Sequence, residues 1–521
     1  MEQEIFASRF VDTIVKDFTS AQLTLGIIGA GIMGRGIAQV AATAGVDVIL
    51  YDVNAAAVDD ALGFVARMLD RAVEKGRMAQ DAALNARAHI KSATRLEDLA
   101  GADLAIEAVI EKLDVKQALF RELEALVSPQ CILATNTSSL SVTSVAAACR
   151  RPERVAGFHF FNPVPLMKLV EVVSGVRTTR EVAVQLAALA NRMGHTPVWV
   201  SDSPGFLVNH IGRGLLTEGL RLLYENVTDV QAVDAVMRDC AGFRMGPFEL
   251  MDLTGLDVTY PASEQVYNQY FQEPRLRPTP LQQRRFSAGL LGRKTGEGFY
   301  RYEEGKKVEH EEPPAPDVSL DAPVWIGRSV PDLAAALTAL LKDTGVSLDT
   351  GNRPAQGSVG LLTPEGHDAT TLALQEGVDP ERAVAVDMIF QDDKRITLMR
   401  TPATDDRVVA GVHTLLSHGG RKVSVIRDSG GCIAQRIIAT IVNIACEIAQ
   451  QGIAAPEDID TGARLALGYP EGPLAMGDHI GPGRILAILE NLQAFYGDPR
   501  YRPSPWLKRR AALGLSLLHA E

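Results

Sequence analysis

The fold is decided by a stretch near the start of the chain, where residues 23–36 read Leu-Thr-Leu-Gly-Ile-Ile-Gly-Ala-Gly-Ile-Met-Gly-Arg-Gly. Apolar residues lead into Gly29, Gly31 and Gly34, which have the spacing Gly-x-Gly-x-x-Gly, and a second apolar run follows at 46–51. This order predicts a strand, a tight glycine turn, a helix and a second strand. Such a unit binds the pyrophosphate of a dinucleotide at the helix N-terminus.

The turn and the residue after the second strand define a predicted cofactor site. The turn residues expected to contact the cofactor are Gly29, Ala30, Gly31, Ile32, Met33 and Gly34. Asp52 follows the second apolar run. A carboxylate at this place hydrogen-bonds the ribose hydroxyls and repels a 2′-phosphate, so the sequence predicts NAD as the cofactor rather than NADP.

A second stretch, residues 157–173, reads Gly-Phe-His-Phe-Phe-Asn-Pro-Val-Pro-Leu-Met-Lys-Leu-Val-Glu-Val-Val and predicts two strands joined by a short connection. His159 and Glu171 lie six residues on either side of Pro165. Strands paired about that centre place the two side chains opposite each other, with Cβ atoms about 4.5–5.5 Å apart. The carboxylate would then fix the tautomer of a histidine acting as general base. A buried structural ion pair is the competing interpretation.

Length and composition limit the classes of protein. A chain of 521 residues predicts three or four domains at about 150 residues each. The net charge of −12 argues against nucleic-acid binding. Residues 1–20 are expected to form an amphipathic helix rather than a signal peptide or membrane span. The scattered cysteines predict reduced thiols in the cytoplasm, without a metal site; they are Cys131, Cys149, Cys240, Cys432 and Cys446.

Polar residues flank several predicted elements of the first domain. The helical stretch 55–90 carries a row of basic residues, Arg67, Arg71, Lys75 and Arg77, which is either a solvated face or a clamp for a phosphate-bearing substrate. Ser138 follows the strand predicted at 132–135, at the sheet edge where such folds bind ligands, although it is also a plausible helix cap.

The second half of the chain repeats the first. Helical periodicity begins near Phe206, and Asn209 lies on the first turn of the new domain. A shift of 226 residues then relates a long ungapped segment to a later one: Asp202 to Asp428, Asp234 to Asp460, Gly246 to Gly472, Asp252 to Asp478 and Gly255 to Gly481. At a shift of 228, His159 becomes Asp387 and Glu171 becomes Met399, so the second copy lacks the dyad.

The predicted fold is therefore α/β: a Rossmann-like NAD domain and an all-α domain, followed by a degenerate copy of both. The predicted boundaries are 1–20 for an N-terminal extension, 21–201 for the NAD domain, 202–302 for the helical domain, 303–323 for a linker, 324–427 for the degenerate Rossmann-like segment and 428–521 for the second helical copy. The degenerate segment should not bind pyrophosphate, because Arg-Ser-Val-Pro follows Gly327 where the first copy has glycines.

Five motifs within residues 21–302 resemble the 3-hydroxyacyl-CoA dehydrogenase family. They are the glycine turn, Asn-Thr-Ser-Ser-Leu from 136, His-Phe-Phe-Asn-Pro-Val-Pro from 159, Pro-Gly-Phe-Leu-Val-Asn from 204 and Gly-Arg-Lys-Thr-Gly from 292. The tandem second half is similar to the long bacterial branch that oxidises 3-hydroxyadipyl-CoA in phenylacetate breakdown. 3-Hydroxybutyryl-CoA is the alternative substrate.

The resemblance assigns roles by position. It makes His159 the base that removes the 3-hydroxyl proton and Glu171 the residue that orients it, while Ser138 and Asn209 hydrogen-bond substrate oxygens. Further residues expected to line the NAD site are Glu111, Lys116, Asn136, Asn162 and Lys294. Arg67, Arg71 and Lys75 are looser matches to the residues that contact the CoA phosphates.

The resemblance leaves other functions open. A non-catalytic NAD-binding relative is one alternative, although Ser138, His159, Glu171 and Asn209 are all present. Another is one arm of a multifunctional β-oxidation enzyme; no hydratase-like segment precedes residue 21, so we expect the dehydrogenase step alone. The expected partners are an acyl-CoA substrate and, by association, further copies of the chain or other β-oxidation enzymes, with no membrane.

Overall fold

The structure is a computed structural model that describes residues 16–19, 22–309 and 311–520. The described residues form two compact units, one of the residues up to 208 with 452–466 and one of the residues from 209 to 451 with those from 467 onward. The helix predicted over residues 1–20 lies outside the described residues, except for 16–19. In that short piece Phe18 is buried and the Lys16 ammonium pairs with Asp103 at 2.8 Å.

The first unit is an eight-stranded sheet with helices on both faces. Its strands are β1 (Thr24–Ile28), β2 (Asp47–Tyr51), β3 (Ile90–Ser92), β4 (Leu104–Glu107), β5 (Ile132–Thr135), β6 (Val155–Phe160), β7 (Leu169–Ser174) and β8 (Thr196–Ser201). Its helices are α1 (Ile32–Thr43), α2 (Ala55–Glu74), α3 (Gln80–Ala88), α4 (Leu113–Leu126), α5 (Val142–Ala146) and α6 (Arg180–Arg192). Short 3₁₀ turns lie at Leu96–Leu99 and Pro152–Arg154.

The strand order is β3-β2-β1-β4-β5-β6-β7-β8, and only the β6–β7 pair is antiparallel. Leu25 and Ile27 of β1 are fully buried, as expected for parallel strands covered on both faces. The predicted strand, glycine turn, helix and second strand are confirmed. The helical stretch expected over 55–90 is interrupted, because the chain turns at Gly76 with φ +65° and ends in β3.

The predicted pairing of the central hairpin is confirmed. β6 and β7 run antiparallel, with Gly157 opposite Val173 and His159 opposite Glu171. Every side chain of β6 is buried. The register therefore places the imidazole and the carboxylate on the same face of the sheet.

The second unit contains most of both helical copies. Helices of the first copy are α7 (Val208–Tyr224), α8 (Val230–Asp239), α9 (Pro247–Thr254), α10 (Leu256–Gln269) and α11 (Pro280–Ser287), with 3₁₀ turns at Pro274–Leu276 and Arg293–Thr295. Helices of the second copy are α15 (Ile433–Gln450), α16 (Pro456–Leu467), α17 (Pro473–Ile480), α18 (Pro482–Tyr496) and α19 (Pro505–Leu513), with a 3₁₀ turn at Pro499–Tyr501. α7 begins at the last residue of the first unit, and most of α16 belongs to that unit.

The two helical copies pack on each other through matching residues. The rings of Phe243 and Tyr469, which the 226-residue shift relates, lie 5.0 Å apart. Two reciprocal ion pairs join residues related by a shift of 225: Arg277 with Asp498 at 3.7 Å and Arg502 with Glu273 at 3.9 Å. Contacts that exchange equivalent residues in this way are the mark of a two-fold relation. The predicted packing of the copies about a pseudo-two-fold axis is confirmed.

The second unit also contains a six-stranded sheet in the order β12-β11-β13-β14-β15-β16. Its strands are β11 (Val324–Ile326), β12 (Leu348–Asp349), β13 (Val359–Leu362), β14 (Ala383–Val386), β15 (Arg395–Arg400) and β16 (Lys422–Ile426), and its helices are α12 (Pro331–Leu341), α13 (Ala369–Glu376) and α14 (Asp406–Leu416). Two further 3₁₀ turns lie at Pro380–Arg382 and His418–Gly420. The antiparallel β14–β15 pair repeats the hairpin of the first sheet.

One residue match from the sequence is wrong. Met399 was expected at the position of Glu171, but the register pairs Met399 with Ala385. Asp387 donates its backbone N–H to Thr397, which therefore takes the place of Glu171. The connection between these strands is two residues shorter than in the first copy, so the shift changes from 228 to 226 across it.

The segment predicted as a linker is packed along the second unit. A small hairpin pairs β9 (Tyr302–Glu303) with β10 (Lys306–Lys307). Further on, Glu312 binds the Arg395 guanidinium at 2.6 Å, and the Pro316 carbonyl accepts the Thr414 hydroxyl at 2.6 Å. One described helix, α15, is long and apolar enough to cross a membrane by length and composition, but 89% of it is buried inside the protein.

Candidate active site

The glycine turn leaves room that only glycine can supply. Gly29 has φ +106°, and a Cβ atom there would lie 2.4 Å from the Ala108 carbonyl oxygen. A Cβ atom on Gly34 would lie 1.7 Å from the Gly29 carbonyl oxygen, whereas Gly31 faces open space. The turn therefore closes tightly against β4 while the space in front of Gly31 stays clear.

The N-terminus of α1 is suited to a phosphate group. Gly31 caps the helix without a side-chain hydrogen bond, and its first turn carries no acidic residue. Ile32, in the same turn, is exposed. Backbone N–H groups and the helix dipole at such an end favour an anion. The residues present thus fit the pyrophosphate of NAD.

Asp52 ties the turn to the end of β2. Its Oδ2 accepts the Ala30 N–H at 2.8 Å, and its Oδ1 accepts the Asn54 N–H at 2.9 Å. The carboxylate is partly exposed beside the turn. This placement is compatible with the predicted contact to the ribose, which remains a prediction.

The His159–Glu171 pair is buried and close. His159 Nδ1 lies 2.6 Å from Glu171 Oε2, with His159 5% and Glu171 1% exposed. The imidazole packs against Phe161, with ring centres 4.5 Å apart, and against Phe206 at 5.9 Å. Because Nδ1 is engaged by the carboxylate and Nε2 has no described partner, Nε2 is the ring nitrogen that can take a proton.

The start of α7 holds the carboxylate in place. Gly205 and Phe206 adopt φ values of +74° and +48°, and this turn directs the next two N–H groups at Glu171. Leu207 and Val208 donate to Glu171 Oε1 at 3.0 and 2.8 Å. Both carboxylate oxygens are therefore bonded, which fixes the orientation of the imidazole.

The loop after β5 presents Ser138 and is organised by Glu111. Glu111 Oε1 accepts hydrogen bonds from the hydroxyl groups of Thr137 (2.5 Å) and Ser139 (2.9 Å) and from the Ser138 N–H (3.0 Å). Burial alone would raise the pKa of Glu111, but Lys116 and these donors outweigh it and hold the pKa below its usual value. Ser138 itself is exposed.

Sequence reasoning missed Glu107, which lies at the end of β4. It is fully buried and accepts the Lys116 ammonium at 2.5 Å and the Thr135 hydroxyl at 2.7 Å. Lys116 is itself buried and also pairs with Glu111 at 3.2 Å. Lys116, predicted to line the cofactor site, thus lies beneath Glu111. The sequence did contain a sign of this buried residue, because Glu107 is an acidic residue at the end of an otherwise apolar strand.

The two asparagines predicted for the cofactor site lie near the hairpin. Asn136 follows β5, and its Oδ1 accepts the Phe160 N–H at 2.8 Å. Asn162 is exposed, two residues beyond the end of β6. The glycine turn, Asp52, Glu111, Asn136, Ser138, Asn162 and the His–Glu pair all belong to the first unit. Hydrogen bonds link Asp52 to the turn, Ser138 to Glu111 and Asn136 to β6.

Asn209 and Lys294 belong to the second unit. Asn209 lies on the first turn of α7, where its carbonyl oxygen accepts the Arg213 Nε–H at 3.0 Å. Lys294 lies in a short 3₁₀ turn and pairs with Asp257 at 2.7 Å. Arg67 and Arg71 are exposed on α2, and Lys75 caps its end. The roles predicted for these residues remain predictions.

The fold and the site define a class of protein. A dinucleotide-binding turn and a buried, oriented histidine are the parts that an alcohol dehydrogenase needs. When bound, NAD supplies the acceptor for a hydride. The chain's own residues contribute a buried histidine oriented by Glu171 and a polar loop held by Glu111.

Comparison with known proteins makes the class specific. Residues 24–203 match the family described as 3-hydroxyacyl-CoA dehydrogenase, NAD binding domain, and residues 205–302 and 431–516 match its C-terminal domain. The chain is 39% identical over 491 residues to 3-hydroxyadipyl-CoA dehydrogenase of Escherichia coli (strain K12), covering 94% of this chain and 98% of that protein. It is 42% identical over 280 residues to a probable 3-hydroxybutyryl-CoA dehydrogenase of Deinococcus radiodurans, covering 54% of this chain and 100% of that protein.

A solved structure agrees. The crystal structure of 3-hydroxybutyryl-CoA dehydrogenase from Escherichia coli K12 is similar, with a TM-score of 0.82 and 38% identity over 94% of this chain and 98% of that one. The chain therefore belongs to the 3-hydroxyacyl-CoA dehydrogenase family. It is an NAD-dependent enzyme that oxidises 3-hydroxyacyl-CoA to 3-oxoacyl-CoA. The duplication of the helical domain is confirmed by the two matched segments.

Proposed function

We propose that the enzyme oxidises (S)-3-hydroxyadipyl-CoA in phenylacetate breakdown, with His159 as the base. The buried hydrogen bond of 2.6 Å between His159 Nδ1 and Glu171 carries the assignment of the base. Nε2 takes the proton of the 3-hydroxyl group, and Glu171 stabilises the imidazolium that forms. Ser138 and Asn209 match the family positions that hydrogen-bond substrate oxygens.

The choice of acyl chain rests on the relatives. The curated Escherichia coli protein that spans almost the whole chain is named for 3-hydroxyadipyl-CoA. The Deinococcus relative and the Escherichia coli crystal structure are named for 3-hydroxybutyryl-CoA, which is the second candidate substrate. The relative that shares the tandem second half over its full length favours the six-carbon dicarboxylic chain.

The substrate is tested by comparing kcat/KM for the two thioesters while NADH formation is followed by absorbance. We expect the value for 3-hydroxyadipyl-CoA to exceed that for 3-hydroxybutyryl-CoA. A larger value for 3-hydroxybutyryl-CoA would assign the enzyme to short-chain metabolism. NAD binding without turnover of either thioester would identify a non-catalytic relative.

We also propose a cytoplasmic location and a place for the CoA phosphates. All five cysteines are free thiols, and burial raises the pKa of Cys131, Cys149 and Cys240 to about 12.

The exposed cations Arg67 and Arg71 and the capping Lys75 are spaced four residues apart. This row faces one side of α2 and suits an anionic group. Association with copies of the chain or other β-oxidation enzymes is part of the proposal.

A further inference from the structure

Arg213 is a buried cation without an acidic partner. It lies on α7 and is 4% exposed. Its Nε–H donates to the Asn209 carbonyl oxygen at 3.0 Å, and one Nη donates to the Ser263 hydroxyl. Among the residues that the structure describes, no Asp or Glu lies within ion-pair distance of it. Burying a charge without a counter-charge is costly, so this residue needs an explanation.

Buried Arg510 lies over the Trp506 ring and donates to the His519 carbonyl oxygen, whereas four other buried arginines of the second unit show the usual solution. Each pairs with two carboxylates: Arg275 with Glu273 and Glu447, Arg395 with Asp239 and Glu312, Arg436 with Glu218 and Glu225, and Arg500 with Asp498 and Glu218. Arg213 has no such pair of carboxylates among the described residues. The 226-residue shift matches it to Ala439, so the cation is confined to the copy that carries Asn209.

The described surroundings of Arg213 contribute no negative charge. Burial, together with the Arg213 and Arg275 charges, lowers the pKa of His210 to about 3, so His210 is neutral. Burial likewise lowers the pKa of Arg213 to about 10, which leaves it charged near neutral pH. The Tyr469 hydroxyl is buried with no described partner, and its phenol interacts electrostatically with Arg213.

We propose that Arg213 binds the carboxylate at the far end of the acyl chain and so selects dicarboxylic substrates. This inference rests on the proposed oxidation of 3-hydroxyadipyl-CoA. Asn209 and Arg213 are one helical turn apart on one face of α7, about 5–6 Å between Cβ atoms. In the adipyl chain, three carbon–carbon bonds separate the carbon bearing the hydroxyl from the terminal carboxyl carbon. The substrate carboxylate thus supplies the counter-charge that the protein lacks.

The unmodified enzyme gives the first test. We compare kcat/KM for 3-hydroxyadipyl-CoA, its terminal methyl ester and 3-hydroxyhexanoyl-CoA, which has the same chain length without the carboxylate. A charge-assisted pair predicts a preference of about 10- to 100-fold for the free acid. An ester or hexanoyl chain that is oxidised as efficiently as the acid overturns the assignment of Arg213. If none of the three forms NADH, the proposed function itself fails.

Variants then locate the preference at this residue. Arg213→Met, which has a similar apolar stem, should reduce the acid-to-hexanoyl ratio of kcat/KM by about 10- to 100-fold, mainly through KM. Arg213→Lys keeps the charge and should restore part of the ratio. A ratio that stays at the wild-type value in Arg213→Met overturns the proposal. If that variant does not fold, the comparison of acid and ester with the unmodified enzyme decides.

Discussion

The Glu171 side chain contacts both His159 and the backbone at the start of α7. The carboxylate binds His159 through one oxygen and the N-terminus of α7 through the other. Gly205 and Phe206 both adopt positive φ values in the turn that aims those N–H groups, and glycine at 205 does so without steric cost. One carboxylate therefore fixes both the imidazole and the entry into α7.

His159→Ala should lower kcat by at least about 10²-fold, since it removes the general base. Affinity for NADH should stay near wild type, because His159 is not part of the glycine turn. Steady-state kinetics and a fluorescence titration of NADH measure the two quantities. Glu171→Gln is the companion variant: its amide would donate to Nδ1 and place the proton on Nε2, so we expect a comparable loss. Near-normal turnover in His159→Ala would exclude His159 as the base.

Asp52→Asn should relax the selection against NADP. An asparagine Oδ1 can still accept the Ala30 N–H that now binds Asp52 at 2.8 Å, so the turn is preserved while the charge is removed. The carboxylate that repels a 2′-phosphate is lost. The ratio of kcat/KM for NADP to that for NAD should rise, mainly through KM. An unchanged ratio would mean that Asp52 does not lie at the ribose.

Among the elements, α9 is capped by a buried acid that makes stability depend on pH. Asp234 is fully buried and accepts the N–H groups of Phe248 (3.0 Å) and Glu249 (2.9 Å) and the Tyr300 hydroxyl (2.8 Å). Burial, together with the nearby Glu249 charge, raises the pKa of Asp234 from 3.8 to about 7, although these hydrogen bonds oppose the rise. The folded protein therefore holds a proton that the unfolded chain releases near pH 3.8.

The stability from this raised pKa is present below pH 3.8 and is lost as the pH rises through about 7. Urea-unfolding midpoints of the wild type and Asp234→Asn should be compared between about pH 5 and pH 8. The wild-type midpoint should fall relative to the variant over that range, and other buried acids such as Asp387 cancel in the difference. A difference that rises with pH or stays flat would contradict this account of Asp234.

The contact between α7 and α15 depends on one glycine. A Cβ atom on Gly214 would lie 2.9 Å from the Ile441 Cα, so Gly214→Ala should push the helices apart and cost about 1–3 kcal/mol. Gly212→Ala is the matched control on the same helix. Its Cβ atom would lie 3.5 Å from Leu467, an ordinary contact, and alanine favours the helix by up to about 1 kcal/mol. Equal denaturation midpoints for the two variants would contradict this packing.

An element can be predicted from the sequence when the residues that determine it are close together in the chain. The hairpin was predictable because His159 and Glu171 are symmetric about Pro165, and the glycine turn because its spacing has a steric cause. The burial of Lys116 was not predictable, since its partner Glu107 approaches only in the folded sheet. The misplaced Met399 has a similar origin: a connection shortened by two residues is invisible without the strand register.

At the scale of the whole molecule, the two copies make matching contacts with each other. Ser201 donates its N–H to the Ile453 carbonyl at 2.8 Å, and the equivalent Arg427 N–H donates to the Val227 carbonyl at 3.0 Å. The loop that follows α15 thus bonds to the end of β8 in the first sheet, and the loop that follows α7 bonds to the end of β16 in the second sheet. The second copy, which lacks the glycine turn, thus provides contacts to the first copy.

In the second copy, internal hydrogen bonds occupy the places that match the nucleotide turn and His159 of the first copy. At the former nucleotide turn, the N–H groups of Arg328 (2.8 Å) and Ser329 (2.9 Å) donate to the Glu376 carboxylate, which occupies the donors that a pyrophosphate would use. At the former catalytic site, Gln435, the counterpart of Asn209, donates to Asp387 at 2.9 Å. These substitutions replace ligand contacts with internal ones.

The central claim is that one copy carries the chemistry and the other supports it, and calorimetric titration of the full-length chain with NAD tests it most directly. The account predicts a stoichiometry of one NAD per chain, because only the first copy keeps Gly29, Gly31, Gly34 and Asp52. Glu376→Gln should leave that value unchanged, since the second turn also lacks the glycines. Two equivalents of NAD per chain would contradict the account.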